Sequence, residues 1–459
     1  MNSYLSIILT ILSLVIVGRL ILKKYNPVLV FSVGGIVLLL LVSVLTGASV
    51  MGDASTGSKI LDVFAYIGKA TKDQLKGVGA NLMIVAAYAA YMNHIKASDK
   101  LASVLTKPLM KIGSPYLILG SVYVVGAILK LMITSHVGLS LLLMSTTFPI
   151  LLSLGVSKVS AASAVLLSGA LDWGTNDGAV IFAADTVTKV PVAEYFTKYQ
   201  LLPAVATIIV TALIIMIYFK YLDKKSSSIE ETSKYVHTEN KEVKELSVIY
   251  SVLPTIPLLL VVVFSMFTDY KMDVFTANVL GIIIALIVEG IRLKDIKKIS
   301  DQLSMVFKAM GNAFANILSL IIMAGVFAQG LIKLGGVNIL FDALSNLGGA
   351  EFLTILALSI LSFFGVIILG TGNATWFAFG PLVPDIATKV GLNAIDISVP
   401  VQLSASIGRG LSPVTGSIIA VAGVAEIEIQ ELIKRNVVPI VVGELVMIIV
   451  SYLTLVVFV

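Results

Sequence analysis

The sequence predicts an all-α polytopic membrane protein: an inverted repeat of two halves, each with five transmembrane helices plus one re-entrant hairpin, and discontinuous helices at the midplane. Three observations predict it. Hydrophobic residues make up 58% of the 459 and charged residues only 13%, with a mean hydropathy of +1.01, too little polar surface to cover a soluble globule of this size. Apolar runs long enough to cross ~30 Å of hydrocarbon recur along the chain. Landmarks in the two halves keep a near-constant offset: Pro149 and Pro384 lie 235 positions apart, as do Asn81 and Asn316, while Gly178 and Gly416 lie 238 apart.

The first run, 3–22, has neither a basic leader nor a small-residue cleavage site, so it is expected to remain as a span. Further spans fall at 27–47, 79–95, 158–186 and 200–219, then at 247–268, 274–291, 309–332, 394–424 and 437–458. Two other runs, 115–155 and 352–391, are nearly double length with a polar, Gly-containing middle, and these read as the hairpins. The expected organisation is a first repeat over 1–220 (hairpin 115–155, broken helix 158–186), a cytoplasmic linker at 221–246, and a second repeat over 247–459 (hairpin 352–391, broken helix 394–424). Five full spans per half is an odd number, so the halves enter the membrane from opposite sides.

Charge supports this arrangement. With each hairpin returning to its own side, one side collects 21 Lys and Arg against nine on the other, leaving Lys130 and Arg409 within the membrane. The richer side is cytoplasmic. The net charge of +5 is spent on this asymmetry and on a charged, solvated linker, which points away from nucleic acid as a partner. Cysteine is absent, and the three histidines, at 94, 136 and 237, are framed by no metalloprotease, Walker or dinucleotide motif. An enzyme or an ATP-driven pump therefore finds little support.

Non-helical backbone at membrane depth survives only where protein or an aqueous cavity surrounds it, so the interruptions TSHVG (134–138), LDWGTNDGAV (171–180), GTGNATW (370–376) and IGRGLSPVTGS (407–417) are expected to meet. Ser412 before Pro413 reads as an N-cap followed by a proline at the first helical position. Thr175 or Asn176, Ser135 or His136, and Thr371 or Asn373 can cap the other three half-helices. Four helix N-termini, each with roughly half a positive charge, would favour an anion.

The runs GTGNATWFAF, LSASIGRGLSPVTGSIIAVAGVAE and SPYLILGS…MITSHVGL resemble the anaerobic C4-dicarboxylate carrier family of the DcuC type, within the ion-transporter superfamily, over nearly the whole chain. The resemblance implies a homodimeric carrier in the bacterial cytoplasmic (inner) membrane. It implies movement of succinate, fumarate or malate by secondary transport with Na⁺ or H⁺ as coupling ion and no other cofactor. By motif it implies a substrate and ion region made of Ser135, Asn176, Thr371, Gly372, Asn373, Ser406, Arg409, Ser412 and Pro413.

The residues themselves leave alternatives. Arg409 can fork onto a substrate carboxylate or form a structural ion pair with Asp172 or Asp177. Lys130, five positions before a tip, can hold a second carboxylate, snorkel or pair with an acid; His136 can accept a proton or cap a helix. Asp172, Asn176, Asp177 and Asn373 can offer hard oxygens to Na⁺, the aspartates can take up protons, or they can balance Arg409 and Lys130. Trp173 and Trp376, beside corresponding breaks, can pack or touch substrate. Carriers of other anions, such as amino acids or aminobenzoyl-glutamate type compounds, and a cation/proton antiporter share this architecture.

Overall fold

A helix satisfies its own backbone inside hydrocarbon, and the described residues use nothing else. The computed structural model describes residues 3–111, 113–225, 246–268, 270, 272–336 and 350–458, and every regular element among them is helical. Nine of the described helices are long and apolar enough to cross a membrane. Most of the expected linker, 226–245, lies outside the described residues.

The first pair, α1 (Ser3–Leu22) and α2 (Pro27–Thr46), is divided by a sequence-coded turn: the Asn26 side chain accepts from Val28 N, Pro27 opens α2, and Gly47 closes it at φ 68°. Then comes α3 (Lys59–His94), a single 36-residue helix with a π-turn at Leu75–Gly79. The span expected at 79–95 is thus the second part of a longer rod. Its amphipathic first part joins the apolar part through a kink at Gly77, whose backbone (φ −89°, ψ −112°) is not helical. A short α4 (Ala97–Thr106) leads to α5 (Pro115–Lys130), α6 (His136–Thr146) and α7 (Phe148–Ser153), with a break between α5 and α6. After α8 (Lys158–Ser168) the chain is non-helical until α9 (Gly178–Thr188), and α10 (Val192–Lys225) follows.

Beyond residue 246 come α11 (Ile249–Ser265), α12 (Val274–Leu293) and α13 (Ile296–Leu334), the last a 39-residue rod with its own π-turn at Phe314–Leu318. The run expected at 309–332 is again embedded in a longer helix. Next stand α14 (Ala350–Leu369), α15 (Gly372–Phe379) and α16 (Val383–Val390), then α17 (Ala394–Ile407), a 3-10 turn over Gly408–Leu411, α18 (Gly416–Ala425) and finally α19 (Ile429–Val457). With 20 residues, α14 is long enough to cross the membrane, whereas its counterpart α5 has 16.

The rods α3, α12 and α13 form a frame together with α2. Gly35 lets α2 sit so close to α13 that a Cβ there would collide with the Phe327 backbone. At the basic end, Glu289 of α12 accepts from Tyr250 (2.5 Å), Gln302 (3.0 Å) and Arg292 (2.7 Å), and Tyr91 of α3 donates to Gln302 at 2.8 Å. That network ties four helices at one level. The interrupted elements lie elsewhere in the bundle, where α5 packs on α8, α14 on α17, and α10 on α19.

Candidate functional site

The four interruptions are built by glycine contacts. At the first tip, Leu131 and His136 fill the spaces that Cβ atoms on Gly174 (φ 95°) and Gly169 would need in the first broken helix. At the second tip, Gly372 lies against the Ala405 carbonyl and Gly370 (φ 74°) against Val414, both in the second broken helix. The two pairs also touch each other: Gly410 packs on Leu167, and Trp376 donates from Nε1 to the Ala179 carbonyl at 3.1 Å. All four breaks therefore form one continuous region, as expected from the sequence.

Charge occupies its middle. Arg409 leaves the C-terminal end of α17 and places Nη2 2.6 Å from Asp172 Oδ1 and 2.7 Å from the Ala170 carbonyl, while Nε donates to the Ser406 carbonyl at 3.2 Å. Lys130, at the last turn of α5 and wholly buried, stands 2.9 Å from the same Asp172 Oδ1 and 2.8 Å from Asp177 Oδ2. Two cations at helix C-terminal ends and two carboxylates in a break thus cancel, which is how a region this dry keeps ions at all. The backbone of the break is held as well. Gln402 and Gln200 both donate to the Asp172 carbonyl (2.9 and 3.2 Å), Gln200 also donates to Gln402 Oε1 (2.8 Å), and Gly174 N donates to Gln200 Oε1 (3.2 Å).

His136 bridges three elements. Its Nε2 is 2.8 Å from the Leu166 carbonyl and its Nδ1 is 3.1 Å from Ser417 Oγ, a pairing that suits a neutral ring donating from Nε2 and accepting at Nδ1. Ser135 caps α6 by accepting from Gly138 N at 3.1 Å and is exposed; Thr371 caps α15 by accepting from Ala374 N at 3.5 Å. Both were among the expected caps.

Two expected caps are corrected. Neither Thr175 nor Asn176 caps α9; Asp177 does, accepting from Ala179 N at 2.9 Å, so that N-terminus already carries an anion of its own. Aspartate at this position combines the capping acceptor with a full charge on the helix dipole. Ser412-Pro413 does not begin α18 either. The chain makes a turn through Ser412–Thr415, Thr415 takes the cap position with Oγ1 donating to the Gly370 carbonyl at 3.1 Å, and the helix starts at Gly416. Ser412 Oγ is left buried without a partner, and Pro413 is exposed.

Of the other expected residues, Ser406 is buried with its carbonyl on Arg409, and Asn176 accepts at Oδ1 from Asn278 of α12 at 3.3 Å. Asn373 Oδ1 is buried without a partner. Buried oxygens without donors at Asn373, Ser412 and Thr175 are the kind of hard ligand that fits Na⁺, whereas Asp172 and Asp177 are engaged by cationic side chains. Trp173 donates to the Ala127 carbonyl at 3.0 Å, so both tryptophans are buried with a bond to backbone. Gln200, Gln402 and Ser417 were missed; an amide between apolar residues was the available signal for Gln402, and an amide at the first position of an apolar run for Gln200.

A family model described as C4-dicarboxylate anaerobic carrier matches residues 5–458. The anaerobic C4-dicarboxylate transporter DcuC of Escherichia coli (strain K12) is 32% identical over 459 residues, covering 99% of this chain and 97% of that one. A probable anaerobic C4-dicarboxylate transporter DcuC of Vibrio cholerae is 32% identical over 431 residues, 93% of each chain. Among solved structures, the YdaH transporter of Alcanivorax borkumensis superposes with a TM-score of 0.64 at 14% identity, over 94% of this chain and 98% of that one. MtrF of Neisseria gonorrhoeae, described within a class of antimetabolite efflux pumps, gives 0.63 at 13%, over 94% and 95%. These two likenesses show the fold.

Proposed function

The chain belongs to the DcuC family of C4-dicarboxylate anaerobic carriers, a multi-pass protein of the bacterial cytoplasmic membrane, and from that premise we propose that it moves succinate, fumarate or malate by ion-coupled alternating access. The observation that carries this reading is the guanidinium of Arg409 lying where the two broken helices cross, 2.6 Å from Asp172. A planar fork with five donors matches a carboxylate better than any other cation, and one carboxylate already rests on it. A substrate carboxylate takes the place of Asp172 on Arg409, with N–H groups of the neighbouring breaks alongside; the second carboxylate lies toward the tip that carries Ser135 and His136.

Coupling follows from the charge balance. Lys130 and Arg409 offset Asp172 and Asp177, so an entering dianion leaves the buried region two charges negative. In surroundings this poor in water that imbalance is expensive, and uptake of Na⁺ or H⁺ at the displaced acidic positions removes it. The architecture behind the cycle is an inverted repeat of 1–220 and 247–459 with two re-entrant hairpins. It is supported by the recurrence of helix pair, π-kinked rod, helix–break–helix unit, interrupted helix and last span on both sides of the linker. The interrupted elements reorient as a body against the frame of long rods, and the carrier works as a homodimer.

Arg409→Lys in proteoliposomes tests the reading. The charge persists and the fork is lost, so uptake of labelled succinate is expected to fall at least about tenfold with the protein still monodisperse. Uptake at the unmodified rate removes Arg409 from the substrate site. A panel of unlabelled acids then ranks four-carbon dicarboxylates against other anions.

A further inference from the structure

Another buried carboxyl lies outside the charge cluster. Glu444 sits in the middle of α19, only 6% exposed, and forms no ion pair among the described residues. Its Oε1 accepts from Ser404 Oγ of α17 at 2.5 Å, and its Oε2 is buried with no hydrogen-bond partner. A structural glutamate would have a cation or a full set of donors; this one has one hydroxyl and an open oxygen.

We propose that Glu444 is a proton-binding site whose loading is felt by the turn that carries Arg409. The mechanical link is short. Residues 436, 440 and 444 recur at helical spacing on one face of α19. Along that face Asn436 donates to the Gly410 carbonyl at 3.0 Å, Ile440 fills the space beside Gly410, and Glu444 takes Ser404. The Ser404 carbonyl in turn accepts from Gly408 N. Arg409 therefore lies between Gly410, which α19 holds directly, and Gly408, which α19 reaches through Ser404. A proton added at Oε2 removes the charge that draws in Ser404 Oγ and supplies a donor where none exists, so the grip of α19 on the turn changes.

Among the described residues nothing charged competes for this carboxyl from the helices packed against α19. The 3-10 turn brings Arg409, which is held by Asp172 and the Ala170 carbonyl; α17 brings Asp396, at its first turn and bonded to Asn393 N. The charged residues of α8 and α14, Lys158 and Glu351, lie at their starts, while α18 and the stretch of α10 at 201–214 carry none and present Thr207 and Thr211 beside Gly443. On α19 itself Arg435 is taken by Asp223 at 2.6 Å, and Glu431 and Lys434 lie more than two turns away from Glu444.

This inference rests on the carrier reading for its consequence but not for its site. In liposomes holding the full chain, exchange of labelled succinate at equal pH reads substrate movement, and an inward proton gradient reads coupling. Glu444→Gln is expected to keep exchange within about twofold and to lose a gradient stimulation of about tenfold or more. Retained stimulation overturns the proposal. Should the unmodified protein exchange no dicarboxylate, the carrier reading fails, and infrared difference spectra of the solubilised protein between acidic and alkaline pH still decide on Glu444. A protonated-carboxyl band lost in Glu444→Gln supports the site, and an unaltered spectrum overturns it. If that variant does not fold, Ser404→Ala leaves the carboxyl in place; a displaced pH midpoint of the band supports the proposal and an unmoved one defeats it.

Discussion

Asp172 Oδ1 is shared by two cations, Lys130 Nζ at 2.9 Å and Arg409 Nη2 at 2.6 Å, and the two come from opposite halves of the chain. One oxygen thus joins the end of α5, the break before α9 and the turn after α17. Asp177 completes the set by holding Lys130 at 2.8 Å from the N-cap of α9. The cluster is a junction of three helix termini, so any change in its charge is a change in how those termini sit. That coupling of charge to geometry is what a transport cycle needs.

The first expected outcome concerns the junction itself. Removing Lys130 leaves Asp177 buried without a cation, while Asp172 keeps Arg409, and breaking a buried pair in this way costs about 3–5 kcal/mol. Lys130→Ala is expected to melt well below the unmodified protein in detergent. Adding Asp177→Asn to it removes the orphaned charge and is expected to restore part of the loss, a non-additivity that residues in contact produce. Strictly additive melting shifts would show that Lys130 and Asp177 do not depend on each other.

How far the sequence foretells this region can be judged from the same residues. Glycine, proline and polar residues at 134–138, 171–180, 370–376 and 407–417 break the apolar pattern, and the four helices are interrupted there. Local chemistry codes the break, so it is legible. Pairing is not: Asp172 and Arg409 are 237 positions apart, and tertiary contacts such as the close approach of Gly410 to Leu167 and the bond from Gln402 to the Asp172 carbonyl bring them together. The caps failed where local preference met tertiary demand. Ser412-Pro413 has the composition of a helix start, yet Thr415 is recruited by the Gly370 carbonyl of the other element and the helix begins later. The π-turn of α13 left no trace in composition, because a π-turn inserts one residue without altering the polarity pattern around it, whereas the kink of α3 falls on Gly77 in a stretch with two glycines.

Asp177 offers a test of ion coupling that keeps the helix cap. Asparagine caps a helix about as well as aspartate, so Asp177→Asn keeps the bond from Ala179 N and removes the charge that faces Lys130, which Asp172 still holds at 2.9 Å. Uptake by this variant is expected to lose most of its response to imposed Na⁺ or pH gradients. Exchange without a gradient should persist at reduced rate. A response as steep as that of the unmodified protein would clear Asp177 of any part in coupling.

The contact between the second tip and the second broken helix can be tested with one methyl group. Gly372 opens α15, and a Cβ there would collide with the Ala405 carbonyl while coming within 3.6 Å of Arg409 Cδ. Carbonyl backbone cannot swing aside as a side-chain end can, so Gly372→Ala must push the tip away from α17, beside the side chain of Arg409. Overpacking of this kind costs about 1–3 kcal/mol. Gly68, on the exposed first part of α3, has nothing within 4 Å of its would-be Cβ, and Gly68→Ala is expected to be neutral or stabilising by up to about 1 kcal/mol. Labelled succinate uptake should fall at least about tenfold in Gly372→Ala and stay unchanged in Gly68→Ala. If Gly372→Ala transports normally, the tip does not need to lie against the Ala405 carbonyl at any stage of the cycle, and the convergence of the breaks loses its functional meaning.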